Sequence, residues 1–153
     1  MFGFKKDKWC AHAKGRLIEI ENVPDPVFSQ KMMGDGYAIE VVGDAIYAPT
    51  DGDITMIFPT KHALGIKTNK GIEILVDIGL DTVALEGEGF TVHCSVGEHV
   101  NAGDKLVSLD VDTFKKNNIN LVTPVVFTEN TSFSLSGVGN SVSEGDKLDL
   151  KIK

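Results

Sequence analysis

Apolar residues recur in short runs separated by glycine turns, and strong helical periodicity is absent. After the Asp51-Gly52 turn, Ile54, Met56 and Phe58 alternate with Thr55 and Ile57, the period-two pattern of a strand with one buried face. Leu64 and Ile66 follow the next break, and Asn69-Lys70-Gly71 opens a run over 72–78 rich in β-branched residues. Further strands are expected at Phe90–Ser95, Lys105–Val111, Leu121–Thr128, Ser132–Val138 and Leu148–Ile152. Val111–Asn118 and Pro26–Met33 are each expected to form a helical turn or two. Many short strands at close spacing indicate an all-β fold, a sandwich or a barrel.

Two internal echoes run through this pattern. Ala11-x-x-x-Gly15-x-Leu17-x-x-Ile20 resembles Ala48-x-x-x-Gly52-x-Ile54-x-x-Ile57, and Val100-Asn-Ala-Gly103-Asp104-Lys-Leu106 resembles Val142-Ser-Glu-Gly145-Asp146-Lys-Leu148. In the second pair a Gly-Asp turn leads into a strand, where glycine's tolerance of positive φ is useful. The echoes fit a compact, pseudo-symmetric barrel, although repeated turn chemistry accounts for them as well as duplication does.

At 153 residues the chain is long enough for one domain with its own core. A single domain is expected over 11–153, preceded by a flexible N-terminal segment over 1–10. The net charge of −7 argues against nucleic acid and anionic membranes as general partners. Cys10 and Cys94 share no metal-ligand spacing and are too few for a disulfide framework, which suits a reducing cytoplasm. No apolar run reaches the length of a membrane span, and the charged N-terminus has no apolar core behind it to make a secretory signal. Phe2, Phe4 and the lysines beside them offer at most a weak membrane-surface contact.

Against this background Asp77 is out of place, because it lies inside the apolar run Gly71-Ile-Glu-Ile-Leu-Val-Asp77-Ile-Gly-Leu-Asp81. A buried carboxylate is costly unless paired, hydrogen-bonded or protonated. Of the four histidines, His93 and His99 read as surface residues and His12 has no apparent partner. His62 follows the proline-interrupted turn Phe58-Pro59-Thr60-Lys61, and a hairpin of 63–67 with 72–78 would bring it to the same end as Asp77. Such a pair admits several chemistries. It could be a base with an orienting carboxylate, two ligands of a zinc site, or a phosphoryl site in which histidine stabilises charge on its neighbour. There is no Gly-x-Ser-x-Gly elbow, P-loop or dinucleotide fingerprint. No cofactor is expected.

Several stretches together carry a resemblance. They are Val23-Pro-Asp-Pro-Val-Phe28, Lys31-Met-Met-Gly-Asp-Gly-Tyr-Ala-Ile39, Tyr47-Ala-Pro-Thr-Asp-Gly52, Phe58-Pro-Thr-Lys-His62-Ala and 71–83. Leu85-Glu-Gly-Glu-Gly-Phe90, 100–106 and Val122-Thr-Pro-Val-Val-Phe127 complete the set. The chain resembles the glucose-type IIA component of the bacterial sugar phosphotransferase system, from about residue 10 to the end. The resemblance implies a barrel-like β-sandwich, mostly antiparallel, with a shallow active face. It implies a cytoplasmic phosphocarrier that takes a phosphoryl group from the histidine-containing phosphocarrier protein and passes it to the IIB domain of a sugar permease. His62 matches the histidine that stabilises the phosphoryl group without carrying it, and Thr60 is placed to hydrogen-bond and orient it. An apolar ring for partners is implied at Val27, Phe28, Met33, Phe58, Ile78 and Val83, with Asp81 at the rim. The sequence departs from the family at the phosphoacceptor, where Asp77 replaces histidine. Aspartate is shorter, and in-line transfer depends on close placement, so relay between the usual partners is expected to fail. An engineered block or phosphomimic and a natural relative that docks regulatory targets are both compatible with that residue. No metal is expected in the chain itself; His62 and Asp77 could share a zinc only with ligands from a partner. An ionised Asp77 beside His62 is expected to raise the histidine's pKa. A zinc peptidase and a biotinyl-type carrier lack their defining motifs here.

Overall fold

The computed structural model describes residues 8–153. The expected membrane contact through Phe2 and Phe4 falls outside them. Thirteen short strands carry the fold: β1 (Gly15–Glu19), β2 (Gly36–Val41), β3 (Ala45–Tyr47), β4 (Gly52–Ile57), β5 (Ala63–Thr68), β6 (Glu73–Asp77), β7 (Phe90–Val92), β8 (His99–Val100), β9 (Lys105–Leu109), β10 (Val122–Phe127), β11 (Phe133–Leu135), β12 (Ser141–Val142) and β13 (Leu150–Ile152). Two short helices, α1 (Pro26–Ser29) and α2 (Val111–Lys116), complete it with two single 3₁₀ turns. All ladders between these strands are antiparallel. The largest sheet has the order β12-β1-β2-β10-β6-β5-β4-β8, and smaller sheets β3-β9-β7 and β11-β13 complete the sandwich. The sheets remain open, so the architecture is a β-sandwich without barrel closure.

Alternation within the large sheet sets its two faces. Leu64, Ile66, Ile74, Val76, Val125 and Phe127 point into the main core, together with Leu17, Ile39, Ile46 and Leu106. On the other face, Ile18, Ala38, Val122 and Val126 form a second small core capped by Ile20, Val23, Phe28 and Leu80. The segment 20–33 therefore packs over β1, β2 and β10. Asp25 starts α1 by accepting the Val27 N–H at 2.9 Å, with Pro26 at the first helical position.

Three expectations change. Trp9 and Cys10 are core residues, 2% and 6% exposed, so the ordered domain begins before residue 11. His12 is fully buried, where its Nε2 meets the Thr123 carbonyl at 2.8 Å. The alternation over 54–58 breaks at a register shift between Ile54 and Met56, which turns Met56 to solvent.

The two echoes meet in space. Ala11 N–H donates to the Asp146 carbonyl and Gly145 N–H to the Ala11 carbonyl; Ala48 repeats both bonds with Asp104 and Gly103, at 2.8 and 2.9 Å in each case. Gly15 pairs with Val142 just as Gly52 pairs with Val100. Leu17 exchanges bonds with Gly139 and Asn140, as Ile54 does with Gly97 and Glu98. Each Ala-x-x-x-Gly strand entry thus lies against a Gly-Asp turn, which makes the echoes a pseudo-twofold pair of units.

Candidate functional site

β5 and β6 form the hairpin that carries the site. Its register places Ala63 opposite Asp77, and the Ile78 N–H donates to the His62 carbonyl at 2.6 Å. Because Val76 faces the main core, Asp77 faces the opposite way, onto the side of the sheet where segment 20–33 packs. The small Ala63 and Gly65 lie on the same face and are both buried. The same alternation sends Ile78 inward, where it is fully buried.

His62 is positioned by the turn before β5. The Phe58 carbonyl accepts from Lys61 N–H at 2.8 Å, and Lys61 takes a left-handed φ of 61° to close that turn. Thr60 Oγ1 lies 2.5 Å from His62 Nδ1. When the hydroxyl donates, the ring proton is on Nε2, which is then free to donate to an anion. Phe58 packs edge-on against the imidazole, 5.3 Å between centroids. Burial alone shifts the His62 pKa, and it shifts it down.

Asp77 has the opposite problem. Burial, with the charge of Asp25 as a smaller cause, pushes its pKa up from 3.8 to about 7. No hydrogen bond or ion pair to a described residue relieves it. The expected ionised His62–Asp77 pair with a raised histidine pKa is therefore not formed. Both groups are held toward their neutral forms, because each loses water without gaining the other's charge.

The expected partner ring divides. Val27 and Val83 are exposed, 39% and 55%, and Asp81 is exposed on the turn after β6 with a left-handed φ of 58°. Met33 and Phe58 are half-buried. Phe28 and Ile78 are 5% and 0% exposed, so their side chains support the face from beneath and do not line it. Two neighbours were not singled out from sequence. Asp25 reads locally as a helix cap, and only the packing of 20–33 over the sheet brings its charge to bear on Asp77. Met56 is turned out by the bulge in β4, which apolar alternation hides. Among the described residues no group of three or more His, Cys, Asp or Glu is placed to hold a metal ion, and no helix is long and apolar enough to cross a membrane.

Residues 7–133 match the family described as phosphoenolpyruvate-dependent sugar phosphotransferase system, EIIA 1. The glucose-specific EIIA component of Halalkalibacterium halodurans is 52% identical over 118 residues, 77% of this chain and 68% of that protein. The glucose-specific EIICBA component of Streptococcus pneumoniae is 53% identical over 116 residues, 76% of this chain but 16% of that longer protein. The solved glucose permease IIA from Mycoplasma capricolum superposes with a TM-score of 0.87 at 41% identity, covering 98% of this chain and 99% of that one.

Proposed function

The chain belongs to the EIIA 1 family of the phosphoenolpyruvate-dependent sugar phosphotransferase system, and on that premise we propose that it docks the family's carriers without relaying phosphate. The partners are the histidine-containing phosphocarrier protein upstream and a permease IIB domain downstream, and the compartment is the cytoplasm. The fusion named in the EIICBA relative supports a IIB partner for this face. The observation that carries the reading is Asp77, seated at the end of β6 opposite Ala63 and next to the Thr60–His62 pair. By the resemblance, that is where an imidazole nitrogen would take the phosphoryl group.

Three features of Asp77 oppose transfer. Its side chain is shorter than histidine's, so its oxygens lie back from the in-line position. Near neutral pH much of it is protonated, and a neutral carboxyl is a poor nucleophile. An acyl phosphate there would also add charge beside Asp25 on a face already rimmed by Asp81. The remaining parts of the site fit the family's roles: Thr60 orients His62, His62 offers Nε2 to a phosphoryl oxygen, and Val27, Met33, Phe58 and Val83 offer apolar contact. Phe28 and Ile78 act by holding these in place.

The test is incubation with labelled phosphoenolpyruvate, the first enzyme of the relay and the upstream carrier. No stable label is expected on this chain, and Asp77→His is expected to create it. Stable labelling of the parent chain would overturn the reading. In the Asp77→His background, His62→Gln is expected to leave acceptance of label but slow its onward passage to IIB by about 10²-fold, the usual scale for losing one donor to developing charge.

A further inference from the structure

Asp77 is a half-buried carboxyl with no hydrogen bond to a described residue, on the sheet face that segment 20–33 covers, and the Asp25 carboxylate of that segment bears on it. Asp25 accepts the Val27 N–H at 2.9 Å at the start of α1, which orients its side chain. The other groups facing this position are few. His62, from the turn before β5, is committed to Thr60 through Nδ1. Asp81, on the turn after β6, adds a second exposed negative charge. Lys61 runs its aliphatic stem toward Gly87, which would meet its Cδ at 3.5 Å through an added Cβ. The facing strand β10 (Val122–Phe127) contributes no charged residue, and the nearest charge along β5 is Lys67, which pairs across to Glu73 at the far end of the hairpin.

A carboxyl in this setting keeps its proton for want of a cation. We propose that docking of a cationic partner residue on this face is coupled to the release of one proton from Asp77. The inference rests on the docking reading above. An arginine or lysine laid between Asp25 and Asp77 supplies the missing donors and an opposite charge, both of which favour the ionised carboxyl. The pKa near 7 in the free protein makes the coupling matter at neutral pH. Below that value docking must expel the proton, so affinity weakens as pH falls. Above it the proton is already gone, and affinity levels off. The chain therefore behaves as a proton-sensitive docking protein, in which acidification releases the partner without any phosphoryl transfer.

The experiment uses the full chain and the unphosphorylated histidine-containing phosphocarrier protein. Calorimetric titration at pH 6, 7 and 8, in two buffers of different ionisation enthalpy, gives Kd and the number of protons released. Kd is expected to tighten by up to about tenfold per unit between pH 6 and 7, the limit for one linked proton, and then to flatten. Close to one proton should be released at pH 6 and almost none at pH 8. Asp77→Asn cannot titrate there, so subtracting its profile removes any pH dependence contributed by the carrier. Carboxyl NMR of the free protein is the second readout: the Asp77 midpoint should lie near 7 and fall in Asp25→Asn. Binding that follows the same pH profile in parent and Asp77→Asn, or an Asp77 midpoint below about 5, overturns the coupling and leaves the docking reading intact. Failure of the carrier to bind at any pH overturns both.

Discussion

Two titratable residues, one half-buried and one fully buried, act on stability in opposite directions as pH changes. Asp77 keeps its proton to about pH 7 in the folded chain, whereas its ordinary value is 3.8. Its contribution is therefore fully present below pH 3.8 and is lost as pH rises through about 7. Asp77→Asn removes that loss, so the variant's Tm is expected to exceed the parent's by a margin that widens from pH 5 to 8, by roughly 2–4 °C for each kcal/mol recovered. Thermal unfolding across that range checks it, and a constant margin would contradict it. His12 is the reverse case: burial pushes its pKa from 6.5 to about 4, despite the hydrogen bond to Thr123. The unfolded chain takes up a proton first, so stability falls as pH drops from 6.5 toward 4. His12→Phe is expected to lower stability at pH 7 by about 1–3 kcal/mol, because the Thr123 carbonyl loses its partner. It should also flatten the acid limb of the unfolding profile. The contact of Thr60 with His62 is local to one turn and legible from spacing of two residues. The shifts of Asp77 and His12 depend on what covers them, and no spacing in the chain reports that.

At the scale of elements, the β5–β6 hairpin was the most legible part, because Asn69-Lys70-Gly71 marks its turn and β-branched residues fill its strands. No alternation in the sequence marks β1 and β2 as strands, although β2 lies between β1 and β10 in the large sheet. β2, Gly36–Val41, is buried on both faces except at Glu40, so it lacks the alternation that a half-exposed strand shows. Its entry glycine is there for close approach: a Cβ on Gly36 would sit 2.0 Å from the Val125 carbonyl oxygen of β10. Gly36→Ala is thus expected to push β2 away from β10 and to cost more than about 2 kcal/mol, at the severe end of single substitutions. Denaturant unfolding measures it. The same displacement would loosen segment 20–33 above β10, so Asp25 should lose its influence on Asp77 in that variant.

For the whole molecule, the pseudo-twofold arrangement gives matched turns at matched positions. Asp104 Oδ2 accepts the Asn101 N–H at 2.8 Å, and Asp146 Oδ2 accepts the Ser143 N–H at 2.8 Å. Each turn then bonds back to its own alanine, Ala48 or Ala11. Asp104→Ala and Asp146→Ala are expected to destabilise by similar amounts, about 1 kcal/mol each, as one hydrogen bond to a charged acceptor at an exposed turn is lost. Chemical denaturation of the two variants tests the equivalence, and a cost confined to one of them would mark the units as unequal in the fold. The Asp104 turn lies by the Gly52 end of β4, away from the Asp77 end of the hairpin, and the Asp146 turn lies by Ala11 ahead of β1, so docking affinity should be unchanged in both.

The amino-acid sequence by itself determined the all-β class, most of the strands, the β5–β6 hairpin, the Thr60–His62 turn and a carboxylate, Asp77, set in an apolar strand. These follow from local patterns: alternation, turn residues and motifs that are contiguous in the chain. Only the tertiary structure decided that Asp25 bears on Asp77, that Phe28 and Ile78 are buried, and that the sandwich stays open. It also decided the protonation of the site, since the cost of charging a carboxyl depends on the water and charges left around it once distant segments have packed together.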